Sequence, residues 1–194
     1  MKIMTIRKGL VIALSFGALI LGITAYAAVN QTIAEGVYSY FEAFDGPAST
    51  RMRTLTIAPG EILGWHYHPG VGAYTIVKQG TLTVEDGCGF ERVYTAGQAF
   101  LEHAGRVHRG KNLTNEPVIT AQMFIVPLGT PYTIDTVQAC GRPLTVDECK
   151  AGGWQAFNYP RAFNSQGDCV SSVIHGDPNS PPHPIRKLLR SLTP

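Results

Sequence analysis

The chain has 194 residues, 44% of them hydrophobic, with 16 Lys and Arg against 14 Asp and Glu and a formal charge of +2. That length suits one well-buried core plus a small appendage. The near-balanced charge excludes binding driven by nucleic-acid phosphate, and nucleic acid is not an expected partner.

At the N-terminus, "MKIMTIRKGLVIALSFGALILGITAYAAVNQ" places Lys2, Arg7 and Lys8 before an apolar run from Leu10 to Ile23, followed by the small pair Ala25 and Ala27. This order predicts a secretory signal peptide, residues 1–27, cut after Ala27. A retained membrane anchor is the alternative, but the run is short for a span. Cleavage would leave 13 basic against 14 acidic side chains, a formal charge of −1. The expected location is secreted or periplasmic, with no membrane contact after cleavage. All four cysteines, Cys88, Cys140, Cys149 and Cys169, follow the cut. Two disulfides are expected in an oxidising compartment, and the sequence leaves their three pairings open.

From Thr54 to Pro127 the chain breaks into short runs rich in Val, Ile, Thr, Tyr and Phe, divided by Gly and Pro. This pattern predicts an all-β barrel or sandwich. "VKQGTL" and "LTNEPV" read as hairpin connections, since each sets turn-formers between strand-like runs. In "GWHYHPGVGA" the residues His66 and His68 lie two apart and share one face of a strand, with their backbones about 7 Å apart. Two imidazoles so placed can reach one ion, and His108, in "GRVHRGKN", is the candidate third ligand from another strand. Tyr74, Gln122 and Phe124 are candidates to line the cavity. Asn112 is expected to tie down backbone near a turn. Acidic residues are sparse among the strands, and no Ser-His-Asp spacing, phosphate-cradling glycine loop or CxxC pair is present.

These histidines sit in two blocks that resemble the motifs of the cupin superfamily. Gly60, His66, His68 and Gly80 match G-x5-H-x-H-x(3,4)-E-x6-G, and Gly97, Gly105, His108 and Asn112 match G-x5-P-x-G-x2-H-x3-N. Two anchors depart: Ala73 stands where the first motif has glutamate, and His103 where the second has proline. The resemblance implies a cupin-type double-stranded β-helix, or jelly-roll barrel, over residues 33–131. It also implies a mononuclear site for one divalent transition metal, Fe, Mn, Ni, Zn or Cu, on His66, His68 and His108. Glu102 or His103 could add a ligand, and Gln122 belongs with them as a further ligand or a support to the site. No residue is assigned a catalytic role. A metal-dependent oxidoreductase of dioxygenase type acting on a small molecule is the first functional expectation. A non-enzymatic module binding a metal or small ligand is the second. A homodimer through an edge strand is also expected, since cupin barrels often pair so.

Beyond Pro131, Thr145 is placed to cap a short helix through "VDECKA", ended by Gly152 and Gly153. "DECKAGGWQAFNYPRAFNSQGDCVSSV" resembles a short C-terminal module of exported bacterial proteins with the patterns C-K-x-G-G-W-x-x-F and F-x-N-Q-G-x-C-V. Cys149, Lys150, Gly152, Gly153, Trp154 and Phe157 fit the first. Phe163, Asn164, Gln166, Gly167, Cys169 and Val170 fit the second, with Ser165 interposed. The resemblance implies a Cys149–Cys169 bridge, leaving Cys88 for Cys140, and a small core of Trp154, Phe157 and Phe163. This disulfide-closed extension, irregular or short-helical, is expected over 140–176, with a proline-rich flexible tail over 177–194.

Overall fold

A computed structural model describes residues 28–159 and 161–175. The expected leader with its cleavage site, and the expected tail, lie outside the described residues.

Among the described residues ten strands carry the fold: β1 (Val29–Phe41), β2 (Gly46–Ile57), β3 (His66–Tyr67), β4 (Ala73–Gln79), β5 (Thr81–Asp86), β6 (Glu91–Thr95), β7 (Ala99–Glu102), β8 (His108–Lys111), β9 (Val118–Pro127) and β10 (Ile134–Asp135). The alternation that makes them strands is clearest in β9, where Val118, Thr120, Gln122, Phe124 and Val126 are buried and the residues between them are not. Successive side chains of a strand point to opposite faces, so β9 buries every second residue.

All strand pairs are antiparallel, in two five-stranded sheets ordered β1-β2-β9-β4-β7 and β10-β3-β8-β5-β6. Chain neighbours β2 and β3, β4 and β5, β6 and β7, and β8 and β9 fall in different sheets. This is the jelly-roll arrangement of a double-stranded β-helix, the fold class expected from the sequence. The apolar core, with Leu55, Ile57, Val77, Leu82 and Val118 at its centre, lies between the sheets.

The two expected hairpins are not hairpins. "VKQGTL" joins β4 to β5 and "LTNEPV" joins β8 to β9, and each connection crosses between sheets. Turn-formers mark a change of direction, but which strand pairs with which is decided by the closing of the barrel. Gly80 makes the first corner at φ +79, and a Cβ there would stand 2.6 Å from the Pro117 carbonyl oxygen of the second corner. Asn112 braces that second corner: its Nδ2 donates to the carbonyls of Ile57 (3.0 Å) and Glu116 (2.8 Å), and its Oδ1 accepts from Thr114. The hairpins that do form are β1–β2 and β5–β6.

In the C-terminal segment a 3-10 turn over Asp147–Cys149 stands where a short helix is expected. Its start is capped reciprocally: Thr145 Oγ1 accepts from the Glu148 amide (3.3 Å), while Glu148 Oε2 accepts from the amides of Leu144 (2.6 Å) and Thr145 (3.1 Å). Lys150 is already extended, which ends the turn before Gly152 is reached. A second 3-10 turn spans Gly153–Ala156, and α1 spans Gln166–His175. α1 is not among the elements expected from the sequence; its local signal is "SQGD", where Ser165 Oγ accepts from the Asp168 amide (3.1 Å) and Asp168 accepts from the Asn164 amide (2.9 Å). Cys88–Cys140 and Cys149–Cys169 are both bridged, and no described cysteine is free. Phe157 and Phe163 are buried against the bridges, with Trp154 packed at the edge. Among the described residues no helix is long and apolar enough to cross a membrane.

Candidate metal centre

His66 is paired directly with His108 across β3 and β8, so their side chains leave the same face of one sheet. His68 follows two residues on and joins them, its ring 5.0 Å from His66 and 5.2 Å from His108. Each imidazole is held by the same device. Nδ1 of His66 donates to the Gly64 carbonyl (2.9 Å), that of His68 to the Tyr132 carbonyl (2.8 Å) and that of His108 to the Arg106 carbonyl (2.9 Å). A carbonyl only accepts, so each Nδ1 carries a proton and Nε2 is the atom turned toward a ligand.

The opposite sheet supplies the carboxylate. Glu102, at the end of β7, lies directly across from Ala73 of β4. Directly paired residues share a face, so Glu102 delivers a carboxylate beside the position that the glutamate of the motif would occupy. Glu102 Oε2 lies 2.8 Å from His68 Nε2 and 3.2 Å from His108 Nε2. The four ligand atoms, from His66, His68, Glu102 and His108, all lie within 4.8 Å of one another. The cluster therefore has four members, the three expected histidines and Glu102. His103 is not among them: it is exposed and faces a different cavity. Position 103 follows β7 by one residue, and alternation turns it away from the face of Glu102.

A row of polar side chains fixes Glu102. Thr75 Oγ1 donates to Glu102 Oε1 (2.8 Å), and Gln122 Nε2 donates to the same oxygen (3.2 Å). Gln122 in turn accepts from Arg53 Nε (2.8 Å). Arg53, Gln122 and Thr75 are in register across β2, β9 and β4, which is why three strands present one row. With Oε1 occupied, Oε2 is the oxygen turned to the imidazoles. Gly72 keeps this approach open: a Cβ there, at φ +87, would stand 2.2 Å from the Glu102 carbonyl oxygen. Of the other expected lining residues, Phe124 is buried with its ring 5.0 Å from that of His68, whereas Tyr74 is exposed on the outer face.

Burial and the neighbouring His108 and His68 push His66 down to about 3, so it is neutral. Burial opposes charge on Glu102, but the contacts with His108 and His68 outweigh it and hold the carboxyl well below its ordinary range. Burial likewise opposes charge on His108, and the hydrogen bond and charge of Glu102 overcome it, raising His108. His68 Nε2 is buried, lies 2.8 Å from a carboxylate oxygen and lacks hydrogen-bond geometry to any described group. A lone pair facing a carboxylate in a dry site is a place for a cation. A metal with bonds of about 2.0–2.2 Å fits donors a few ångströms apart, and three imidazoles with one carboxylate suit Mn, Fe, Ni, Zn or Cu.

The cluster opens onto a chamber of about 210 Å³ that His66, Glu102 and His108 line together with Arg53, Thr120 and Gln122. A larger cavity of about 420 Å³, between β6, β7 and the C-terminal segment, also reaches Glu102 and His108 but not His66. The smaller chamber, which meets three of the four ligands, is the one placed for chemistry. The C-terminal segment bears on the site through Arg106. Its buried guanidinium pairs with Asp86 (2.7 Å) and with Glu148 (3.1 Å), while its backbone carbonyl holds His108.

Residues 53–127 match the family described as Cupin_2, Cupin domain. No curated protein matches the chain. An uncharacterised conserved protein with a double-stranded β-helix domain from Klebsiella pneumoniae is similar at 18% identity and TM-score 0.45, over 56% of this chain and 84% of that one. The Cupin_2 domain of an XRE family transcriptional regulator from Enterobacter cloacae is similar at 18% identity and TM-score 0.38, over 52% and 97%. Lactobacillus farciminis oxalate decarboxylase, in a formate complex, is similar at 22% identity and TM-score 0.39, over 44% and 26%.

Proposed function

We propose that this is an exported cupin-domain protein that binds one divalent transition metal on His66, His68, His108 and Glu102 and uses it for oxidative chemistry on a small molecule. The observation that carries the reading is the convergence of three Nε2 atoms and one carboxylate oxygen at the wall of a small chamber. A bound metal would supply Lewis acidity, and for a redox-active ion electron transfer. The chain supplies the rest: carbonyls that fix the tautomer and direction of each imidazole, and the Thr75 and Gln122 donors that aim Glu102. Leu55, Ile57, Leu63, Leu82 and Val84 give the chamber an apolar wall that limits water. Export is supported by the two bridged cysteine pairs.

Sequestration of a metal or ligand is the second reading, favoured by the shortage of acid–base groups in the chamber. Apart from the metal-binding cluster and Arg53, its only titratable lining residue among those described is Asp135, which is exposed. Elemental analysis of protein purified without chelators, with oxygen consumption measured beside it, tests both. About one metal per chain, lost in His66→Ala/His68→Ala, is expected, and absence of metal in the native protein refutes the site. Oxygen uptake that depends on the metal and on an added substrate separates an enzyme from a binding module. We further propose that two copies pair through β1, a strand of 13 residues at the edge of its sheet that exposes Val29, Ile33, Val37 and Tyr40. Light scattering would show a dimer that Val37→Lys dissociates, and a monomeric native protein refutes the pairing.

A further inference from the structure

Arg53 is 8% exposed, yet no described carboxylate lies within ion-pair distance of it. A buried charge without a partner is costly, and a guanidinium does not escape by losing its proton. Its Nε is bonded to Gln122 and its plane lies over the Phe124 ring, 4.7 Å from the centroid. The remaining four N–H donors belong to the two terminal nitrogens, on a residue that lines the chamber. Gln122 stands between Arg53 and Glu102 and bonds to both, so the charge of Glu102 reaches Arg53 only across this bridge and makes no ion pair with it.

An unpartnered hydroxyl lies nearby. Thr120 Oγ1 is buried in the same chamber wall and has no hydrogen-bond partner among the described residues. Thr120 pairs with Leu55 across β2 and β9, and Gln122 pairs with Arg53, so Thr120 and Arg53 are diagonal neighbours on one face. Diagonal pairs are about 7–8 Å apart at the backbone, within reach of a long side chain. The Arg53 guanidinium and the unpartnered Thr120 hydroxyl thus border one cavity, whose apolar wall is made by Leu55, Ile57, Leu63, Leu82 and Val84.

We propose that the chamber takes a short aliphatic carboxylate, its carboxylate group held by the Arg53 guanidinium and the Thr120 hydroxyl and its hydrocarbon part against Leu55, Leu63 and Leu82. The proposal names a substrate class for the metal site and rests on that reading for its function, though not for its binding test. Glu102 and the exposed Asp135 are the acidic groups that face the ligand. Against Glu102 stand Arg53 and, when loaded, a divalent cation, so the loaded site favours an anion. The volume, about 210 Å³, corresponds to roughly seven water molecules at ~30 Å³ each, which limits the ligand to a short chain.

The test compares butyrate with its neutral isostere butyramide by calorimetry at fixed ionic strength, on metal-free protein, where a metal cannot bind the carboxylate itself. Native protein is expected to bind butyrate at least about tenfold more tightly than butyramide. Arg53→Gln should abolish the preference and Arg53→Lys should retain part of it. Thr120→Val should weaken butyrate several-fold while raising the melting temperature, because it removes a buried unpaired hydroxyl. Equal affinities for the two ligands in native protein, or an unchanged preference in Arg53→Gln, would overturn the proposal. Metal content of the same variants is measured in parallel. Arg53→Gln that loses metal, with no butyrate preference in native protein, would make Arg53 a positioning residue for Glu102 and refute the anion site. A native protein that binds no metal yet prefers butyrate would refute the metal reading alone.

Discussion

Replacing Glu102 by Gln tests the carboxylate ligand with little change of shape. Thr75 and Gln122 both donate to Glu102 Oε1. In Glu102→Gln that position must be taken by the amide oxygen, since an NH₂ group there would face two donors. The NH₂ group is then forced to the place of Oε2, beside the Nε2 atoms of His68 and His108. It cannot bind a metal there, but it can donate one hydrogen to each imidazole. The substitution therefore removes a ligand and a charge while satisfying the metal-free cluster. Loss of an outer partner of a metal ligand costs 10–100-fold in affinity, and loss of a ligand should cost more, about 1,000-fold, or ~4 kcal/mol. Competition against a fluorescent chelator with Zn or Mn measures this directly. Thermal melts supply the second arm: at equal metal concentration the native protein should gain up to ~8–16 °C that the variant does not, at ~2–4 °C per kcal/mol. Without metal, the variant should melt at or above the native temperature. Native-like metal affinity in Glu102→Gln would refute a carboxylate ligand, and a large loss of metal-free stability would refute the argument for the amide orientation.

Gly72→Ala should displace the β7 backbone at Glu102, since its Cβ would meet the Glu102 carbonyl at 2.2 Å; a drop of ~1–3 kcal/mol in stability together with weaker metal binding is expected in denaturant melts and chelator competition. Cys149→Ser/Cys169→Ser opens a loop of sequence separation 20 and should cost ~3 kcal/mol on the chain-entropy model, seen as an early unfolding of the C-terminal segment in hydrogen exchange. Glu148→Gln removes the ion pair that ties this segment to Arg106, and a measurable fall in metal affinity would show that the segment steadies His108, whereas unchanged affinity would confine its role to stability. Asp168 is lowered to about 2 by its hydrogen bond to Arg161 and then by the Asn164 amide. Because the folded value lies below the ordinary one, its contribution is present above about pH 3.8 and fades as pH falls through about 2. Native protein and Asp168→Asn should therefore differ in α1 protection at neutral pH and converge near pH 2.

Much of the site was legible because its signals are local in sequence. Residues two apart share a strand face, so the pair His66 and His68 could be read without coordinates, and the two motif blocks supplied His108. Glu102 was harder, because its place beside Ala73 depends on the pairing of β4 with β7, an event 29 positions apart in the chain. Arg53 carried no signal at all. It becomes notable only when β2 lies against β9 and the barrel buries it without an ion-pair partner among the described residues. The hairpin expectations failed for the same reason: Gly and Asn announce a bend, and burial of the inner faces decides which sheet the next strand joins.

By itself, then, the order of residues marks the strand-like runs between Thr54 and Pro127, the three imidazoles through spacing, and a second, cysteine-linked segment after the barrel. Tertiary structure alone decides the fourth ligand, the polar row that aims it and the buried Arg53 facing the chamber. Those depend on register between strands distant in sequence, which is settled by the simultaneous burial of both sheets rather than by any local preference of the chain.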